Sequence, residues 1–106
     1  EGFKPGAGAI VAAISAATAA KPEIVGKPFT HIVRIALDRL ETAAGETVFV
    51  GDRLDTDVQA GKGVGGFTIL VLSGSTKREA AEKIDDPKQK PDLILSDISY
   101  IRQLLI

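Results

Sequence analysis

Four side chains in this sequence are equipped for chemistry: Lys27 and the aspartates Asp52, Asp55 and Asp57 of "VFVGDRLDTD", residues 48–57. The three acids crowd behind Gly51, directly after an apolar run, and like charges this close repel one another. A local reading makes Asp55 or Thr56 the cap of the next helix, with Asp57 as extra acid in its positive first turn. That accounts for Asp55 and Asp57 but not for Asp52, the first polar residue past the strand. The other reading is a hard cation, because Mg²⁺ prefers carboxylate oxygens, keeps several waters, and would relieve the repulsion. Upstream, "IVGKP" (24–28) places Lys27 just past a short apolar stretch. If that stretch is a strand parallel to 47–51, Lys27 emerges on the same rim as Asp52. There a compact ammonium could hold a phosphate oxygen or balance carboxylate charge. The plainer alternative is a solvated surface lysine.

Alternating helices and strands must position these groups. "GAGAIVAAISAATAA" (6–20) carries Ile10, Ile14 and Ala17 at helical spacing, which predicts a helix after Pro5. "EIVG" (23–26) predicts a short strand, and "FTHIVRIALDRLET" (29–42) a helix with Pro28 at its opening. "TVFVG" (47–51) and "FTILVL" (67–72) have no polar alternation, as expected of strands covered on both faces. A helix from about residue 56 has Thr56 and Gln59 at capping-box spacing. A short helix (76–84), a polar loop (85–91), a strand (92–96) and a last helix (97–106) complete the pattern, with Tyr100 expected to be partly buried. Strands joined by crossover helices imply an α/β fold: a Rossmann-like parallel sheet with helices on both faces. Ligands of such sheets sit beyond the carboxyl ends of the strands, where Asp52 falls.

Bulk properties narrow the field. With 106 residues the chain is one small domain. Thirteen Lys and Arg against 14 Asp and Glu argue against nucleic acid or an anionic membrane surface as partner. No cysteine is present, which excludes disulfides and thiolate metal sites and fits a reducing, cytoplasmic setting. No apolar run approaches the roughly 18 residues needed to span a bilayer. "GKGVGG" (61–66) matches a dinucleotide fingerprint by letter, but it follows a helix instead of a strand and reads as helix termination. "PGAGA" (5–9) reads as a helix start. His31, the single histidine, has no second ligand in view and reads as structural or exposed.

Taken together, "GKP" and "VGDRLDTD" resemble motifs III and IV of the haloacid dehalogenase superfamily of phosphatases. The likeness is to the branch of p-nitrophenyl phosphatases and phosphoglycolate phosphatases, which carry a large cap domain. "KPGAGAIVAAISAATAAKPEIVGKP" resembles the stretch where that chain returns from the cap, and "TILVLSGST" and "KPDLILSDISYI" its closing strands and helix. The resemblance implies that Lys27 steadies the aspartyl nucleophile and the transferring phosphate of a small phosphorylated substrate. It implies that Asp52 contributes to Mg²⁺ binding, and that Asp57, closing the G-D-x4-D pattern, supports the metal directly or through water.

The departures are equally specific. The family's nucleophile lies in a D-x-D motif at the tip of its first strand, and no such strand precedes residue 23. The motif II hydroxyl residue and the cap have no counterpart either. Residues 1–106 thus resemble the second half of the catalytic core, an incomplete sheet without nucleophile strand or cap. Its open apolar edge invites a complementing chain or a second copy. Two function classes follow. One is a Mg²⁺-dependent phosphomonoester hydrolase segment, inactive by itself. The other is a non-catalytic remnant or subdomain that binds cation, phosphate or a protein edge. A receiver-like phosphoacceptor would carry its acids and lysine in a different order.

Overall fold

The computed structural model describes residues 2–104. Helix α1 (Ala7–Thr18) is followed by an irregular stretch and a turn, then by α2 (His31–Leu40). Strand β1 (Val48–Gly51) leads through a single π-helical turn, Leu54–Val58, into α3 (Gln59–Gly63). Strand β2 (Phe67–Val71), helix α4 (Arg78–Glu82), strand β3 (Leu93–Leu95) and helix α5 (Ile101–Leu104) complete the order. Residues 105 and 106 of the expected last helix lie outside the described residues.

The three strands form a parallel sheet in the order β1-β2-β3, with Val48 opposite Phe67 and Ile69 opposite Leu93. Strand periodicity sends Phe49, Thr68, Leu70 and Ile94 to one face. That face carries the core: Leu54, Val58, Leu70 and Ala81 in one cluster, and Val33, Leu37 and Ala60 in another against Phe49. On the opposite face Val48, Val50, Phe67 and Leu93 border an apolar hollow of about 450 Å³ closed on one side by Ile101 and Leu104 of α5. Helices therefore lie on both faces, but the second face is thinly covered.

Glycines end α3 as expected. The Gly65 and Gly66 amides return to Lys62 and Gly61 carbonyls, and Gly65 has a φ of +79°. At the amino-terminal rim, Asp92 accepts from the Thr68 amide (2.7 Å) and hydroxyl (2.9 Å) and pairs with Lys62. This latch ties α3 to the start of β3.

Several local expectations are corrected. Residues 23–26 are not a strand; Ile24 and Val25 are exposed. A strand needs a hydrogen-bonded neighbour, and among the described residues none lies beside this segment. Residues 25–29 instead fold into a turn, with Phe29 N–H donating to the Gly26 carbonyl and Ile32 N–H to that of Val25. Pro28 lies in this turn, ahead of His31, the first residue of α2. The Thr56–Gln59 capping box does not form, because the π-helical turn already encloses Thr56 and has no side-chain cap. Tyr100 is exposed and sits in a 3₁₀ turn, not in α5.

Candidate functional site

The carboxyl ends of β1 and β2 create the site. Gly51 ends β1, and a Cβ there would stand 2.2 Å from the Asp57 Cβ, so only glycine lets the π-helical turn fold back this closely. The turn exists because the Arg53 carbonyl accepts from both Asp57 N–H and Val58 N–H, each at 3.1 Å. Buried Leu54 and Val58 anchor it to the core. π-helical turns of this kind are frequent at functional sites, since they re-aim side chains that a regular helix would carry elsewhere.

Asp57 is the hub. Its Oδ2 accepts from the Asp52 and Arg53 amides, both at 3.1 Å. Its Oδ1 accepts from Lys27 Nζ in an ion pair that is half exposed on the lysine side and largely covered on the aspartate side. Lys27 thus reaches the Asp52 rim, as expected, but from a turn and not from a strand end.

Asp52 is held differently. The Ser75 amide, in the loop after β2, donates to its Oδ2 at 2.7 Å, and Thr76 N–H donates to its backbone carbonyl at 3.2 Å. The Ser75 amide above all keeps the Asp52 carboxyl below the usual carboxylate range. Among the described residues no hydrogen bond ends on Asp52 Oδ1. Asp55 is not a cap. It turns away to a two-bond pair with Arg53 (3.1 and 2.9 Å), and that guanidinium lowers its pKa.

The arrangement joins one cation, one carboxylate with an oxygen to spare, and a second carboxylate that fixes both. Ser75 and Gly74 were not singled out in the sequence. The signal was available: "SGS" follows β2 as "GD" follows β1, and adjacent parallel strands bring their closing loops together.

A HAD-hydrolase-like family profile matches residues 24–101. The ribonucleotide monophosphatase NagD of Escherichia coli is 41% identical over 100 residues, which cover 94% of this chain and 39% of that protein. The p-nitrophenyl phosphatase from Archaeoglobus fulgidus superposes with a TM-score of 0.82 at 38% identity, over 95% of this chain and 40% of that one. A glycerol phosphate phosphatase from Mycobacterium tuberculosis, solved in complex with magnesium, superposes with a TM-score of 0.72 at 34% identity, over 88% of this chain and 27% of that one. The chain spans about two fifths or less of the length of these proteins.

Proposed function

Because this chain belongs to the haloacid dehalogenase-like hydrolase family, we propose that it is the charge-stabilising half of a Mg²⁺-dependent phosphomonoester hydrolase. In this reading a complementing segment brings the aspartyl nucleophile, and the assembled site works on a small phosphate monoester in the cytoplasm. The observation that carries the reading is the Lys27–Asp57–Asp52 network at the carboxyl rim of the sheet. The naming of the relatives as phosphatases supports it.

Asp52 suits a hard cation: it is a carboxylate at a strand tip, ionised over the neutral range, fixed through Oδ2 and with Oδ1 unengaged among the described residues. Asp57 suits direct ligation less well, since Lys27 and two amides already occupy its oxygens. We assign it to positioning. Among the described residues no group of three or more His, Cys, Asp or Glu is placed to hold a metal ion; in this reading Asp52 supplies one ligand and the complementing segment the others. Bound there, Mg²⁺ would neutralise charge on the phosphoryl oxygens.

The chain's own residues then have separate tasks. Lys27 has three N–H donors. One is spent on Asp57, and the others can take phosphoryl oxygens as charge builds on them. Asp57 holds that ammonium over the rim and fixes the Asp52 and Arg53 amides beneath it.

The test is a Mg²⁺ titration of the purified chain followed by amide NMR, with Asp52→Asn and Asp55→Asn beside it. Weak binding centred on Asp52, lost in Asp52→Asn and unchanged in Asp55→Asn, is the expected result. Equal affinities in all three proteins would remove Asp52 from the metal site. The alternative, a binding module without turnover, shares the cation site and differs only in never acquiring hydrolase activity.

A further inference from the structure

The loop that follows β2 reaches both the carboxylate and the carbonyl of Asp52. Two hydrogen bonds arrive from it: Ser75 N–H to Asp52 Oδ2 at 2.7 Å, and Thr76 N–H to the Asp52 carbonyl at 3.2 Å. Between β2 and those donors stands Gly74. A Cβ at that position would lie 2.3 Å from Asp52 Oδ2, 2.5 Å from its Cβ and 2.6 Å from its Cγ. No rotation of a small side chain relieves such an overlap, because the Cβ itself collides. The φ of Gly74 is not in the left-handed region, so the glycine is required by this approach and not by its backbone conformation.

We propose that Gly74 and the Ser75 amide form a positioning clamp for Asp52: the clamp holds the carboxylate through Oδ2 and presents Oδ1, which accepts no hydrogen bond among the described residues, to a divalent cation. Three consequences follow from the geometry. A carboxylate with one oxygen tied up binds a cation through the other, which suits the small, strictly octahedral Mg²⁺ better than a larger ion that accepts both oxygens. The donor is a backbone amide, so it holds one direction without a side-chain torsion to lose. The clamp also couples the two strand-end loops, because displacing the β2 loop moves a metal ligand carried on the β1 loop. Outer partners of this type orient ligands, and their loss typically lowers metal affinity 10- to 100-fold.

The clamp rests on Asp52 being a ligand, as proposed above, and the experiment separates the two. The full chain is titrated with Mg²⁺, then with Mn²⁺ as a paramagnetic probe, and amide signals are followed in wild type, Gly74→Ala and Asp52→Asn. Ser73→Ala, at a neighbouring exposed position, is the control. In wild type the Ser75 amide should exchange slowly with solvent and should shift with Mg²⁺ more than the amides of Ile69 and Leu70. Gly74→Ala should lose that protection and bind Mn²⁺ at least tenfold more weakly, while Ile69 and Leu70 stay protected; Ser73→Ala should match wild type. A Gly74→Ala chain that binds Mn²⁺ like wild type, while Asp52→Asn does not, overturns the clamp and leaves Asp52 as a ligand. Wild type and Asp52→Asn binding alike overturns both readings. If Gly74→Ala fails to fold, the wild-type measurement decides: a freely exchanging Ser75 amide that ignores Mg²⁺ refutes the clamp, and a protected, responsive one upholds it.

Discussion

At the residue scale the site is a division of labour among carboxylates that look alike in sequence. Asp52 is clamped by an amide from the neighbouring loop, Asp57 gathers two amides and Lys27, and Asp55 pairs outward with Arg53. The spacing made Asp52 legible as the unusual acid, because it alone fell at a strand tip. It made Asp55 a cap and Asp57 extra acid in the first turn, and the cap did not form. The π-helical winding decided that, by sending Asp57 inward and Asp55 out. Being exposed on both sides, the Arg53–Asp55 pair is screened by solvent and orients the Asp55 carboxylate more than it stabilises the fold.

The pH response belongs to this scale. Burial pushes the Asp92 carboxyl up, but the Lys62 ammonium and the Thr68 amide and hydroxyl outweigh it, and the net shift is downward. A carboxylate with a lowered folded-state pKa stabilises the fold fully above its unfolded value of about 3.9, and loses that contribution as pH falls through the folded value. Asp52, Asp55 and Asp97 share the direction. Urea unfolding at pH 7, 4 and 3 should therefore show a midpoint that drops between 4 and 3, with a shallower drop in Asp92→Asn. A midpoint that rises toward pH 3 would show these acids to be unfavourably placed.

At the element scale, the strands were the clearest part of the sequence. "TVFVG", "FTILVL" and "DLILS" are short apolar runs bounded by turn residues, and each became a strand within a residue or two of its expected ends. "EIVG" has the same local character but lacks a neighbour, so it stayed irregular; pairing is a property of the sheet, not of the segment. The helix after β1 was legible in place but not in winding, because the choice between α and π depends on where Leu54 and Val58 must land in the core. The central strand carries the packing, and Leu70 is fully buried there. Leu70→Ala should cost about 2–5 kcal/mol by loss of buried surface and the cavity left behind. Val48→Ala, on the open face, should cost within about 0.5 kcal/mol. Chemical denaturation of the two variants checks this, and comparable losses would mean that the second face is covered in solution.

At the scale of the whole molecule, the chain is more extended than a compact domain. Its radius of gyration is 16.2 Å, where a compact domain of this length would have about 13 Å. Helix α1 buries no residue, and Ile10 and Ile14 are well exposed. Val48, Val50 and Phe67 are exposed on the sheet. No helix among the described residues is long and apolar enough to cross a membrane. Apolar surfaces of this extent mark places where protein packs on protein.

The central proposal is that this chain holds the charge-stabilising half of a phosphatase site and turns over only with a segment that brings the nucleophile. In this proposal Lys27 and Asp52 stabilise charge and neither attacks, and a concerted site without its nucleophile loses most of its rate. The direct measurement is Mg²⁺-dependent hydrolysis of p-nitrophenyl phosphate by the purified chain, alone and then with an added segment whose strand ends in D-x-D. The account predicts no hydrolysis above buffer for the chain alone, and turnover on adding the segment that disappears in Lys27→Ala. Turnover by the chain alone, abolished by Lys27→Ala or Asp52→Ala, would contradict it.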